Sequence, residues 1–196
     1  MTAIIECFFD VGSPASYLAW TQLPGLAARH QATLKWKPML LGGVFQATGN
    51  QSPAAIPAKG RYSRIDLQRF ARDYGVTLNF NPNFPVNTLL LMRGATAYLE
   101  SSRFQHYLNA IFTAMWVDQL DLGQPEVVAG VLKGAGFDAD EVLRYCADDA
   151  VKDKLRQLTD EALERGVFGA PTMFVGDQMF FGQDRLHHVE KALQAG

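Results

Sequence analysis

The chain has few cysteines, and their positions exclude several classes of site. Cys7 and Cys146 are the two cysteines among 196 residues, and neither belongs to a Cys-x-x-Cys motif or has ligand-type neighbours at zinc spacing. This pattern argues against a dithiol redox site and predicts no metal site. Both cysteines are instead expected to be free thiols in a reducing compartment.

The chain is also low in net charge and lacks a long apolar run. A net charge of −2 provides no electrostatic basis for binding nucleic acid or an anionic membrane. Runs of about 18 apolar residues, which would indicate a membrane span, are missing, and the first residues lack the positive region of a signal peptide. With 48% hydrophobic residues, the composition predicts a globular cytoplasmic protein.

The order of hydrophobic patterns predicts an α/β fold in which a helical block interrupts a sheet. Apolar runs predict strands at 4–9, 33–38, 172–175 and 179–181. A helix predicted for 17–29 joins the first two strands, which favours parallel pairing. The stretch 41–50 predicts a loop. Helical periodicity predicts the remaining helices at 61–74, 86–100, 104–117, 125–133, 138–146, 150–165 and 184–195.

The most informative short motif is Ser13-Pro14-Ala15-Ser16, between the first strand and the first helix. Thioredoxin-type oxidoreductases carry Cys-x-x-Cys at this point. Ser13 suits a helix N-cap, Pro14 suits the first helical position, and Ser16 is more often a packing residue. Serines cannot exchange disulfides, but the Ser13 hydroxyl could donate a hydrogen bond to a thiolate that another molecule supplies.

Five motifs occur in order along the chain. They are Phe9-Asp10-x-x-Ser13-Pro14-x-Ser16-Tyr17, Leu41-Gly42-Gly43-Val44-Phe45-x-x-Thr48-Gly49-Asn50, Lys59-x-x-Tyr62, Phe168-Gly169-Ala170-Pro171-Thr172 and Phe181-Gly182-Gln183-Asp184-Arg185. Together they resemble the 2-hydroxychromene-2-carboxylate isomerases and their relatives, the kappa-class glutathione transferases. The resemblance covers nearly the whole chain. It implies a thioredoxin-like domain (βαβ…ββα) from residues 1–45 and 166–196, with a large all-helical insertion of residues 46–165.

The resemblance implies a function as well as a fold. It implies a glutathione-dependent isomerase that converts 2-hydroxychromene-2-carboxylate to trans-o-hydroxybenzylidenepyruvate, in aromatic-hydrocarbon catabolism, through a transient glutathione adduct. It further implies a cytoplasmic homodimer that binds a small aromatic carboxylate. Two alternatives stay open: a kappa-like glutathione transferase or peroxidase, and a non-catalytic thioredoxin-like binding module.

The matching positions imply a set of glutathione contacts. Ser13 would be the catalytic residue that contacts the glutathione sulfur, and Asn50 would lie in an active-site loop. Ala170 would precede a cis-proline, Pro171, and its main chain would pair with the tripeptide like an added strand.

Two acidic or amide positions complete the implied glutathione site. Gln183 and Asp184 match the pair that binds the γ-glutamyl end, although Gln183 is longer than the residue in many relatives. Asp184 is alternatively the N-cap of the last helix. Asp10, after the first strand, either orients the Ser13 loop or is a simple turn residue.

Candidates for contacts to the substrate are weaker, and each is individually more typical of a surface or core residue. Arg93 stands in the otherwise apolar run Leu89-Leu90-Leu91-Met92, so its side chain should have a partner. Arg61 and Arg64 are further cations that could meet a carboxylate. The candidate substrate-binding residues are Lys37, Phe45, Tyr62, Asn87 and Arg93.

Overall fold

A mixed four-stranded sheet is the frame of residues 2–195, the part of the chain that the computed structural model describes. The strand order is β2-β1-β3-β4. β1 (Ile4–Phe9) pairs in parallel with β2 (Thr33–Pro38), whereas β3 (Thr172–Val175) runs antiparallel to both β1 and β4 (Gln178–Phe181). The predicted strands and the parallel pairing of the first two are confirmed.

Helices surround this sheet, and most of them lie between β2 and β3 in the sequence. They are α1 (Pro14–Arg29), α2 (Leu41–Thr48), α3 (Pro57–Asp73), α4 (Leu89–Ala97), α5 (Phe104–Trp116), α6 (Pro125–Gly134), α7 (Ala139–Ala147), α8 (Asp149–Glu164) and α9 (Leu186–Ala195). This order confirms a thioredoxin-like sheet with a large helical insertion. Within residues 2–195, no helix has the length and apolar character needed to cross a membrane.

The stretch predicted to be a loop, 41–50, instead begins with helix α2. Gly42 and Gly43 each disfavour a helix by about 1 kcal/mol relative to alanine. However, Val44 is fully buried against the sheet, and the helix ends at Gly49, whose φ of 72° is left-handed. Tertiary packing of one apolar side therefore overrides local propensity. The domain boundary proposed between residues 45 and 46 falls inside this helix.

The two sides of β1 contribute to two different cores. Ile5, Cys7 and Phe9 point into a large core that α1 shares with helices of the insertion, whereas Phe8 belongs to a smaller core with residues of α2 and α8. In the large core, the fully buried Trp116 donates a hydrogen bond from Nε1 to the Val11 carbonyl at 2.8 Å. The insertion is therefore packed directly against the segment that follows β1.

Candidate functional site

Ser13 lies where β1 ends and α1 begins, and its hydroxyl has two partners. Its Oγ accepts a hydrogen bond from the Ser16 N–H at 3.1 Å and donates one to the Ala170 carbonyl at 3.1 Å. The residue is 6% exposed. Ser13 therefore caps α1, as predicted, and at the same time contacts a segment 157 residues away at the positive end of the helix dipole.

The segment that Ser13 contacts is a proline turn. The Ala170–Pro171 peptide bond is cis, which confirms the sequence prediction. The Pro171 carbonyl accepts a hydrogen bond from the Gly182 N–H at 2.9 Å, so the turn after β4 lies beside it. Within residues 2–195, the Ala170 N–H donates to no group. That main-chain donor is available to an extended ligand.

The turn after β4 brings Gln183 and Asp184 to the same place. Asp184 lies inside a short 3-10 turn and forms an ion pair with Arg185. The predicted role of Asp184 as N-cap of the last helix is wrong, because α9 begins only at Leu186. The backbone at Gly182 has a φ of 97°, and a Cβ there would lie 2.5 Å from Asp184 Oδ1. Glycine is therefore required for this approach.

Tyr74, at the end of α3, supports this turn from the insertion, a role that the sequence did not reveal. Its hydroxyl donates to the Gln183 carbonyl at 2.8 Å. Burial, with smaller contributions from the carboxylates of Asp184 and Asp73, raises the pKa of Tyr74 to about 12. The phenol therefore keeps its proton and remains a donor at neutral pH.

Asn50 reaches the proline turn from the loop after α2. Its Nδ2 donates to the Phe168 carbonyl at 2.8 Å, two residues before Ala170. The side chain is exposed at this position. The structure thus brings together six predicted residues, which we call the serine–proline site: Ser13, Asn50, Ala170, Pro171, Gln183 and Asp184.

Asp10 fixes the loop that carries Ser13. Its buried carboxylate accepts hydrogen bonds from the Gly12 and Leu41 N–H groups, each at 2.9 Å, and from Thr88 Oγ1 at 3.0 Å. Burial raises the pKa of Asp10, and these three hydrogen bonds oppose that shift. Of the two alternatives for Asp10, the structure supports the one in which it orients the Ser13 loop.

An exposed aromatic pair borders the serine–proline site and was missed as a functional feature. The rings of Phe168 and Phe181 lie 4.6 Å apart, although the residues are 37% and 41% exposed. The Phe181 ring also packs over Gly169, where a Cβ would come within 2.7 Å of it. Each phenylalanine is the first residue of one of the five sequence motifs, which was the available signal.

Lys37 forms ion pairs with two carboxylates away from the serine–proline site. Its Nζ lies 2.7 Å from Glu161 Oε1 and 3.4 Å from Glu6 Oε1, and Arg165 joins the same network through Glu6 at 2.8 Å. Within residues 2–195, no hydrogen bond or ion pair connects Lys37 to the serine–proline site. The structure therefore gives Lys37 a role in joining α8 to the sheet, rather than the predicted contact to substrate.

The remaining substrate candidates fall into separate places. Tyr62 is 61% exposed and lines an open groove of about 470 Å³ along α3, and Phe45 is half-buried on α2. Arg64 lies over the Phe80 ring at 5.3 Å. Asn87 and Arg93, in contrast, do come together in a cavity of about 230 Å³ beside α4.

The two cysteines are buried and form no disulfide. Burial raises the pKa of Cys7 far above its ordinary value and that of Cys146 to about 11, with Arg93 partly opposing the second shift. Both thiols stay protonated and are free. Among the described residues, no group of three or more potential ligands is placed to hold a metal ion.

Comparison with known proteins agrees with this architecture. The DSBA-like thioredoxin domain matches residues 4–194. The 2-hydroxychromene-2-carboxylate isomerase of Pseudomonas putida is 33% identical, over 97% of this chain and 94% of that protein. Glutathione S-transferase kappa 1 of Rattus norvegicus is 27% identical, over 93% of this chain and 87% of that protein.

A solved structure extends the similarity to three dimensions. The structure of selenomethionine 2-hydroxychromene-2-carboxylate isomerase superposes with a TM-score of 0.87 at 32% identity, covering 98% of this chain and 95% of the other. Both the sequence and the arrangement of elements are therefore shared over nearly the full length. The chain belongs to the DSBA-like thioredoxin domain family and, within it, to the 2-hydroxychromene-2-carboxylate isomerase family.

Proposed function

We propose that this protein is a glutathione-dependent isomerase that converts 2-hydroxychromene-2-carboxylate to trans-o-hydroxybenzylidenepyruvate. The proposal draws the reaction from the isomerases that the chain resembles, and draws the cofactor from the related kappa glutathione transferases. The single observation that carries it is the hydrogen bond of Ser13 Oγ to the Ala170 carbonyl at 3.1 Å. It joins a hydroxyl at a helix N-terminus to a main-chain edge beside a cis-proline.

The polar groups of the serine–proline site suit the chemistry of glutathione. The tripeptide carries a thiol, peptide groups and a γ-glutamyl end with an α-amino group. The site offers a hydroxyl at Ser13, main-chain groups at Ala170, an amide at Asn50 and a carboxylate at Asp184. A peptide lying along Ala170 can take its free N–H, in the manner of strand addition. The Asp184 carboxylate can accept from the α-amino group.

Ser13 is placed to stabilise a thiolate. Free thiols have a pKa of about 8.5, so only a small fraction is ionised at neutral pH. The Ser13 proton can turn from the Ala170 carbonyl to a sulfur atom, and the Ser16 N–H that Oγ accepts polarises the hydroxyl and strengthens its donation. The N-terminus of the 16-residue helix α1 adds partial positive charge. Glutathione, when bound, supplies a thiolate nucleophile that the reaction regenerates.

The surroundings of the site suit an aromatic substrate. The exposed rings of Phe168 and Phe181 provide an apolar surface next to the proline turn, where an aromatic ring can pack. Together with the family relationship, this supports a small aromatic carboxylate as the partner of glutathione. By the same relationship we propose a homodimer in the cytoplasm, and a thioredoxin-like domain of residues 1–45 and 166–196 with residues 46–165 as its insertion.

Two serine variants test the role of the site. Ser13→Ala removes the thiolate donor and should lower turnover on the order of 100-fold, as when one donor to a reactive anion is deleted. Ser16→Ala is the matched control, because the buried Ser16 Oγ has no hydrogen-bond partner within the described residues. Isomerisation would be followed spectrophotometrically. Titration calorimetry with reduced glutathione in two buffers of different ionisation enthalpy would report proton release on binding.

The outcomes separate the competing functions. Proton release by wild type and Ser16→Ala, but not by Ser13→Ala, would support the proposal. Unchanged turnover in Ser13→Ala would remove Ser13 from the mechanism. Glutathione consumed into the product would favour the kappa-like transferase. No binding at millimolar glutathione would leave the non-catalytic binding module.

A further inference from the structure

A cavity of about 230 Å³, partly open to solvent, lies at the start of α4, next to the loop that precedes α6. Leucine and proline side chains form most of its wall, and one amide and one guanidinium are the polar groups. Such a lining suits a small molecule with an apolar body and one charged end. The lining residues are Asn87, Leu89, Leu90, Arg93, Leu122, Gly123 and Pro125.

Arg93 has no counter-ion of its own. Within residues 2–195 its side chain makes no hydrogen bond or ion pair, and its Nε is buried without a partner. Other half-buried arginines are paired: Arg165 contacts Glu6 at 2.8 Å, and Arg103 donates to the Gly136 carbonyl at 2.7 Å. A buried guanidinium N–H without an acceptor costs free energy. Within residues 2–195 no acceptor reaches this N–H, so either water or a bound ligand must accept its hydrogen bond.

The neighbours of Arg93 do not neutralise it. The charge of Arg93 acts on the Cys146 thiol, but burial still raises the pKa of that thiol to about 11, and it donates to the Leu90 carbonyl. Asn87 adds a second donor to the cavity, because its Oδ1 accepts from the Leu89 N–H at 3.0 Å while its Nδ2 makes no hydrogen bond within residues 2–195. Two sets of N–H donors match a carboxylate, and the leucine and proline side chains can contact the apolar atoms next to it.

A residue next to the cavity contacts the loop of the serine–proline site, because Thr88 donates a hydrogen bond to Asp10. Asn87 directly precedes Thr88, whose Cγ2 lies within 2.7 Å of the position that a Cβ on Gly12 would occupy. Gly12 is the residue before Ser13. The start of α4 is thus in van der Waals contact with the loop that carries the serine.

We propose that Arg93, assisted by Asn87, binds the carboxylate of the aromatic substrate in this cavity. The inference rests on the proposed function for the identity of the ligand, but its own evidence is the unpartnered guanidinium. Arg93 binds and orients the ligand and takes no part in bond making. A carboxylate should therefore bind better than a neutral analogue of the same shape.

The test compares Arg93→Gln with Arg93→Lys and with Arg144→Gln, which removes an exposed arginine of α7 outside the cavity. The probes are chromone-2-carboxylate and its uncharged carboxamide, titrated by calorimetry with and without saturating glutathione. Arg93→Gln should weaken carboxylate binding on the order of 10-fold or more and raise KM similarly, while the glutathione Kd stays unchanged. Arg93→Lys should recover part of the affinity as a point charge.

The failure of this inference can be told apart from that of the proposed function. Equal carboxylate binding by wild type and Arg93→Gln, equal losses for carboxylate and carboxamide, or no binding of either probe by wild type would overturn it. Absence of glutathione binding with Arg93-dependent carboxylate binding would overturn only the proposed function. Thermal unfolding of each variant shows whether it is folded. If Arg93→Gln does not fold, carboxylate binding by Arg93→Lys tests the inference instead.

Discussion

The hydrogen bond from Thr88 Oγ1 to Asp10 Oδ2 is a buried link between the insertion and the Ser13 loop. Thr88→Val keeps the shape of the side chain and its methyl contact with Gly12 but removes the hydroxyl. Hydrogen bonds to charged groups contribute about 1.5–3 kcal/mol. In this variant Asp10 Oδ2 still accepts a hydrogen bond from the Leu41 N–H at 2.9 Å, so the buried oxygen keeps one donor. We expect the free energy of unfolding to fall by about 2 kcal/mol.

The loss should depend on pH in a defined direction. Burial already raises the folded-state pKa of Asp10 above its ordinary value of 3.8, and removal of one hydrogen bond should raise it further. For a carboxyl with a raised pKa, stability is greatest below the unfolded pKa and decreases as the pH rises through the folded one. The free energy of unfolding of Thr88→Val should therefore decrease more than that of the wild type as the pH rises. Its deficit should therefore be complete near neutral pH and become smaller in acid.

Urea unfolding across this pH range measures the effect, with Thr96→Val as the control. Thr96 is also buried in α4, but its Oγ1 donates at 2.8 Å to the Met92 carbonyl, which accepts within the helix in any case. Its loss should cost less and should not vary with the titration of Asp10. Equal losses in the two variants, or a Thr88→Val deficit that grows in acid, would refute the reasoning.

Two other expectations follow from the glycine turn and the cysteines. Gly182→Ala should lower stability by about 1–2 kcal/mol through its φ of 97° and also weaken glutathione binding, because the new methyl displaces Asp184. Gly176→Ala, with a φ of 57° and no neighbour within 4 Å, should keep full glutathione affinity, as titration would show. Cys7 and Cys146 should resist a thiol reagent in the native state near pH 8 and react in denaturant, because burial keeps both protonated; rapid native labelling would contradict this.

Much of the fold could be predicted because it depends on neighbours close in sequence. The apolar run of β1, the cap at Ser13 and the helical spacing of α5 each belong to a short window. Local rules predicted a loop where α2 forms, because the burial of Val44 stabilises the helix more than Gly42 and Gly43 disfavour it. They also placed the start of the last helix at Asp184 instead of Leu186. For α2, the contacts that decide the conformation lie outside the window, in the core that Val44 shares with β1 and α8.

For the candidate site too, some features could be predicted from the sequence and others required the tertiary structure. The sequence by itself determined the serines in place of a dithiol, the proline turn and the order of motifs that identify the family. Only the tertiary structure showed that the Tyr74 hydroxyl donates a hydrogen bond to the Gln183 carbonyl and that Lys37 forms an ion pair with Glu161. It also showed that Arg93 has no partner in the described chain. Residue types and spacing follow from the sequence, whereas the pairing of polar groups depends on which distant segments the packed core brings within hydrogen-bonding distance.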